Sequence, residues 1–278
     1  MKKYSVLFLL IFLPLAITAQ QQPKVLYQAF SHNDYTRTHP LTDALSLGFN
    51  CVEADLWLID GELYISHNRP TPKPEITFEN LYLKPIVERA RVNNGKVYSD
   101  SNKPFFLMLD FKKNGEDIYA LLKQKIEPYK DLFCRLENGV YHEGSILLFI
   151  SGDRPLKTLP LEPTRIAMLD GKIADLNDGI PATMMPVISD NYSDYFKWNG
   201  IGEMPNDELA QLRKIVKETH KEGKLFRFWG APDTQSFMRF QLREHIDLIG
   251  ADNLQLLYNI LPKAFNPSFS SSRIPDRF

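Results

Sequence analysis

The chain has 278 residues, 44% hydrophobic and 24% charged, with a formal net charge of −1. That balance excludes the basic stripe of a nucleic-acid-binding protein, and the apolar fraction is that of an ordinary globular protein. The two cysteines, Cys51 and Cys134, are too few for a disulfide scaffold. Cys51 is expected as a buried strand residue, and its pairing with Cys134 stays open.

The chain starts MKKYSVLFLLIFLPLAITAQ. Lys2 and Lys3 precede an apolar run from Val6 to Ile17 broken only by Pro14, and Ile17-Thr18-Ala19 offers a small-residue cleavage site. This pattern predicts a secretory signal peptide over 1–19, too short for a membrane span, and hence an exported, periplasmic or extracellular protein. Cleavage there would remove two lysines and take the net charge from −1 to −3. The remaining length suits one (β/α)₈ barrel, typically about 250 residues.

From residue 25 onward, short runs rich in β-branched and aromatic residues alternate with helical patterns. VLYQAF (25–30), CVEADLW (51–57), FFLMLDF (105–111) and ILLFIS (146–151) read as strands, followed by RIAML (165–169), MPVIS (185–189), KLFRFW (224–229) and a weaker DLIGADNLQ (247–255). Helices are expected over 41–48, 78–95 (with Pro85 as an internal conflict), 115–133, 206–223 and 233–246. Asn206 or Asp207 suits an N-cap, Gly223 a C-terminal stop, and Asp233 a further helix start. Residues 170–184 carry little helix signal, so an irregular fifth crossover is expected. The alternation predicts an α/β protein with a TIM-type (β/α)₈ barrel over 20–261. An open doubly wound sheet is disfavoured because no Gly-rich fingerprint follows the first strand. The Pro/Ser-rich stretch 262–278 reads as an extended tail.

Side chains on a strand alternate between its faces. In CVEADLW, Val52, Ala54 and Leu56 share one face, while Cys51, Glu53, Asp55 and Trp57 share the other, expected to point into the barrel. Two carboxylates side by side resist ionisation unless a cation stands between them. Two readings are open: a hard oxygen-seeking cation, Ca²⁺ or Mg²⁺, or a salt bridge to a neighbouring Arg or Lys. Asp110 ends the third strand, at the face where barrel enzymes keep their chemistry. Lys112 is either a contact for an anionic substrate or a solvated rim lysine. His32 follows strand 1, and His67 follows the Asp60-Gly61 bend after strand 2. Two histidines beside an anionic centre suit proton exchange at a phosphodiester, one accepting from the attacking hydroxyl and one donating to the leaving oxygen. His39, His142, His220 and His245 have no such company and take no role.

The ordered set SHNDY, CVEADLW, Asp60-Gly61 and ISHN resembles the phospholipase C-like phosphodiesterase superfamily over about residues 25–69. That group includes glycerophosphodiester phosphodiesterases, phosphatidylinositol-specific phospholipases C and sphingomyelinases D. The wording is most similar to the fungal altered-inheritance-of-mitochondria proteins and their bacterial relatives. The resemblance implies a TIM-type barrel, a metal held by Glu53, Asp55 and Asp110, and His32 and His67 as the acid–base pair. It makes Lys112 a substrate contact and Trp229 an aromatic lining the cleft. Arg227 shares the strand face of Trp229, so by spacing it could meet phosphate. The chain departs from the glycerophosphodiesterase wording at Asn33, where those enzymes carry Arg, and at Asn68, where Asp is common. Asn33 would be a weaker phosphate partner, so the departures bear on the substrate rather than on the fold. The overall expectation is a metal-dependent phosphoric diester hydrolase acting as a monomer on a small-molecule or lipid phosphodiester. A non-catalytic binding barrel and a glycoside hydrolase are the alternatives. The latter suffers because Glu53 and Asp55 stand too close on one strand to flank a glycosidic bond.

Overall fold

A computed structural model describes residues 23–264. The expected signal peptide over 1–19 and most of the expected tail lie outside that range. Eight parallel strands form a nearly closed barrel: β1 (Leu26–Ser31), β2 (Phe49–Ile59), β3 (Phe105–Phe111), β4 (Ile146–Gly152), β5 (Met168–Gly171), β6 (Val187–Asn191), β7 (Leu225–Trp229) and β8 (Ile249–Ala251). Each pairs with its sequence neighbour, and β8 returns to β1 through Ala29–Ile249, Phe30–Gly250 and Ser31–Ala251. Closure between β7 and β8 rests on a single bridge, Arg227 to Leu248. The N–H groups of Asp247 and Leu248 both donate there to the Phe226 carbonyl.

The helices are α1 (Thr42–Ser46), α2 (Lys84–Val92), α3 (Gly115–Ile126), α4 (Tyr192–Tyr195), α5 (Asn206–Lys221), α6 (Gln235–Arg243) and α7 (Leu254–Ala264). Pro85 falls in the first turn of α2, after a π-helical turn at Glu79–Leu83. The helical path is continuous through Leu83 and Lys84, and the wider π turn sits where the proline ring would otherwise press on the carbonyl four residues back. The chain enters α5 at Pro205, and Asp207 and Glu208 sit in its first turn against the positive end of the helix dipole. Thr234, rather than Asp233, caps α6 by accepting from the Phe237 N–H. The irregular fifth crossover is present: only a 3₁₀ turn at Ile173–Asp175 stands between β5 and β6.

Two expectations need correction. The eighth strand spans only Ile249–Ala251 of the expected 247–255, and α7 takes up its last residues from Leu254 and runs to Ala264, three residues into the expected tail at 262–278. The third helix stops at Ile126, because Pro128 turns the chain into a 3₁₀ segment at Glu127–Leu132. A small antiparallel sheet of Arg135–Glu137, Val140–His142 and Thr164–Arg165 follows.

Strand alternation separates two apolar layers. Val52, Ala54 and Leu56 of β2 join the large layer between strands and helices. Cys51, Phe30, Phe106, Met108, Phe149, Met168, Val187 and Leu225 fill the barrel interior. Cys51 and Cys134 are both buried there and unpaired. The interior is therefore a packed plug, and polar side chains begin one layer above it, towards the C-terminal ends of the strands.

Candidate active site

Asp55 and Asp110 are register partners across β2 and β3, two pairs beyond Glu53 and Met108 and so on the same inward face. That register makes a carboxylate cluster from residues 55 positions apart in the chain. Glu53, Asp55 and Asp110 each offer an oxygen within 4.8 Å of the others. Glu53 and Asp55 are buried. Burial pushes the Glu53 carboxyl above the usual carboxylate range, and the Arg227 guanidinium and His32 pull the other way. Burial also raises Asp110, opposed by the Lys112 ammonium.

Loop geometry delivers the histidines. Asp60 (φ 51°) and Gly61 (φ 78°) form a two-residue turn with both φ positive, the geometry that matches strand twist in a tight hairpin. It returns Glu62–Ile65 antiparallel to Leu56–Ile59. The Trp57 indole donates to the Ser66 carbonyl at 3.0 Å, and His67 Nδ1 ends 3.1 Å from Asp55 Oδ2. His32 follows β1 with Nδ1 2.8 Å from Asp252 Oδ1 and Nε2 3.9 Å from Glu53 Oε2. A carboxylate on Nδ1 orients the ring and leaves Nε2 facing Glu53.

Three contributors escape the sequence patterns. Buried Asp34 accepts from Ser31 Oγ at 2.7 Å, from the Leu41 N–H at 2.5 Å and from the Tyr82 hydroxyl at 3.0 Å. It pins the loop that carries His32. The Tyr35 hydroxyl lies 2.7 Å from Asp55 Oδ2 and 2.8 Å from Asn33 Oδ1. Asp252 orients His32 from the residue just beyond β8. Arg37 in turn donates to the carbonyls of His32 and Asp252.

Asn33 adopts a left-handed conformation (φ 46°) and aims its backbone N–H at Glu53 Oε2 over 3.4 Å. Arg227 is 1% exposed, with its guanidinium 4.2 Å from the Phe30 ring centroid and 2.9 Å from Met108 Sδ. It lines the inner end of a cavity of about 230 Å³ whose walls include His32, Trp229, Asp233 and Asp252. Trp229 is 42% exposed at its mouth, and Lys172 Nζ stands 5.9 Å over its ring. Asp170, Ser151 and Ser189 complete the polar layer on the far side of the barrel.

Gly152, at the end of β4, has φ +70°, and a Cβ there would lie 2.1 Å from Asp110 Oδ1 and 2.3 Å from the Phe111 carbonyl oxygen. A positive φ costs an L-residue roughly 1–2 kcal/mol before any clash. Gly152→Ala is therefore expected to lose more than about 2 kcal/mol of stability and to displace Asp110. Denaturant unfolding checks the loss, and an unchanged midpoint would contradict it.

Residues 17–168 match the AIM6-like phosphodiesterase domain. The chain belongs to that family. AIM6-like relatives include an altered inheritance of mitochondria protein 6 homolog of Arthroderma benhamiae, 24% identical, with 81% of this chain and 80% of the relative covered. Altered inheritance of mitochondria protein 6 of Saccharomyces cerevisiae is 24% identical over 83% of this chain and 70% of its own. A crystal structure of glycerophosphodiester phosphodiesterase from Agrobacterium tumefaciens aligns with a TM-score of 0.46 at 13% identity, covering 84% of this chain and 100% of that one. The expectation of an exported, periplasmic or extracellular protein is corrected here: the fungal AIM6-like relatives are named for the inheritance of mitochondria, not for export. A basic start before a short apolar run is a feature that segments with several destinations share, so composition alone did not fix this one. Among the described residues no helix is long and apolar enough to cross a membrane.

Proposed function

We propose that this AIM6-like domain is a divalent-cation-dependent phosphoric diester hydrolase in which His32 and His67 exchange protons with the substrate. The observation that carries the reading is the convergence of two carboxylate-oriented histidines on the cluster of Glu53, Asp55 and Asp110. The donor set fits a hard cation. All three groups are carboxylates, and Asp55 Oδ1 is buried with no hydrogen-bond partner, a state that is expensive unless something positive meets it. Ca²⁺ or Mg²⁺ held by these three oxygens would supply charge stabilisation for the phosphoryl group.

The chain's own residues would do the rest. His32, braced by Asp252, and His67, braced by Asp55, each keep Nε2 for the substrate. One would take the proton of the attacking hydroxyl, and the other would give one to the leaving oxygen. Lys112 and the Asn33 loop would meet the non-bridging phosphate oxygens. Arg227 is too deeply seated for that task and would act from beneath by favouring ionised Glu53. The cavity beside His32 has the size of a small alcohol portion, with Trp229 as its outer wall.

The test is hydrolysis of bis-p-nitrophenyl phosphate and a panel of glycerol and lipid phosphodiesters, with and without EDTA, beside Glu53→Ala. Activity is expected to vanish on chelation, to return with Mg²⁺ or Ca²⁺, and to stay absent in the variant. Turnover that survives both chelation and the substitution would refute the proposal. Metal binding with no turnover on any diester would favour a non-catalytic barrel.

A further inference from the structure

Lys112 is not a solvated rim lysine. Its side chain is 16% exposed, and Nζ lies 2.7 Å from Asp55 Oδ2 and 2.5 Å from Asp110 Oδ2. The ammonium thus bridges the two register partners that also belong to the carboxylate cluster. Asp55 Oδ2 is further engaged by the Tyr35 hydroxyl at 2.7 Å and His67 Nδ1 at 3.1 Å. Asp110 turns Oδ1 towards Gly152 and gives Oδ2 to Lys112. A dication that draws on all three carboxylates therefore meets a positive charge already seated on two of them.

The charges of the layer sharpen the point. Lys112 and the buried Arg227 are the two cations packed closest to this layer, and Arg227 is shared with Asp170 on its far side. A divalent cation at the three carboxylates would add two positive charges beside them, which favours a phosphodiester anion. It would also stand within a few ångströms of an ammonium, where repulsion is strong. Arg227 is locked between Phe30 and Met108. Lys112 has a flexible four-carbon stem and can turn its charge away.

We infer that Lys112 is a built-in competitor for the divalent cation: cation binding at Glu53, Asp55 and Asp110 displaces its ammonium from the Asp55–Asp110 pair towards the cleft, where it adds to the affinity for phosphate. This inference rests on the metal reading proposed above, and it goes beyond it in making one side chain couple metal occupancy to anion affinity. The coupling follows from exchange of partners alone, without a change in backbone.

Calorimetric titration of the full chain tests it, with Mg²⁺ and Ca²⁺ as the metals and dimethyl phosphate as the anion. The Lys112→Met protein, close in shape but uncharged, is expected to bind Mg²⁺ at least about tenfold more tightly than wild type. Lys112→Arg, which keeps the charge, is expected to stay near wild type. Mg²⁺ is expected to strengthen dimethyl phosphate binding in wild type and to do so much less in Lys112→Met. A folded Lys112→Met protein, judged by its melting transition, that binds Mg²⁺ equally or more weakly would overturn the competition while leaving the metal reading intact. Saturable binding of neither metal to either protein would remove the metal reading and this inference with it.

Discussion

Replacing His32 by alanine is expected to lower kcat on a phosphodiester by roughly 10²–10⁴-fold, the range that a positioned general acid or base contributes, while divalent-cation binding persists. The expectation follows from placement. His32 stands at the end of β1 with one ring nitrogen held by Asp252 and the other 3.9 Å from Glu53 Oε2. It touches the carboxylate cluster but is not one of its oxygens. Its loss should therefore remove proton transfer without dismantling the cation site. The pH–rate profile separates this from a general disturbance, because a proton-exchanging pair gives two limbs and a variant lacking one partner should lose one of them. Asp252→Asn should give a smaller loss, since the imidazole would remain but its orientation and preferred tautomer would be less fixed. Wild-type-like turnover in His32→Ala, measured on bis-p-nitrophenyl phosphate and on the best diester of the panel, would exclude His32 from the chemistry.

Much of this site was legible because strand alternation is a local property. Cys51, Glu53 and Asp55 had to share a face once β2 was recognised, and Asp60-Gly61 had to fold the chain back. The register between β2 and β3 was not legible, and it is what sets Asp55 directly beside Asp110. Register between parallel strands is decided by crossover length and by packing against helices, neither of which the strands themselves encode. Asp252 was hidden for a related reason: it lies 220 residues from His32 and comes near it only when β8 closes onto β1. The depth of Arg227 was equally invisible, since period two sets the direction of a side chain but not its height above a packed plug.

Other differences arose from conflicting local signals. Leu254–Leu261 reads LQLLYNIL, in which only Gln255 and Asn259 mark a polar face, too narrow a signal beside a short apolar strand pattern that ends in the same residues. Its core-facing positions Leu254, Leu257, Ile260 and Leu261 follow helical spacing once α7 packs on the barrel. The Asn138-Gly139 pair was by contrast a hairpin signal of the strongest kind, and both residues do adopt positive φ between the strands at Arg135–Glu137 and Val140–His142. Its meaning was masked by the helical pattern leading into it.

Glu53→Gln is expected to abolish cation-dependent activity and at the same time to make the protein more stable in EDTA at neutral pH. Burial raises the Glu53 and Asp110 carboxyls above their unfolded values. For such groups the folded chain binds the proton more tightly than the unfolded one. Their favourable contribution is complete below the unfolded carboxylate pKa, about 4, and is lost as pH rises through the raised folded values. Without a dication, the ionised pair therefore weakens the fold at neutral pH. Glutamine keeps an oxygen for the Asn33 N–H and removes the charge, which should be worth about 1–2 kcal/mol, the scale at which active-site strain is commonly relieved. In a protein of this size that raises the melting temperature by roughly 2–8 °C. The gain should shrink as pH falls towards the carboxylate range, because wild-type Glu53 then becomes protonated too. Added Mg²⁺ should raise the wild-type melting temperature, increasingly so with pH, and leave Glu53→Gln almost unmoved. A Glu53→Gln protein that melts below wild type in EDTA at neutral pH, or that still gains stability from Mg²⁺, would show that Glu53 is held by the fold for some purpose other than a cation.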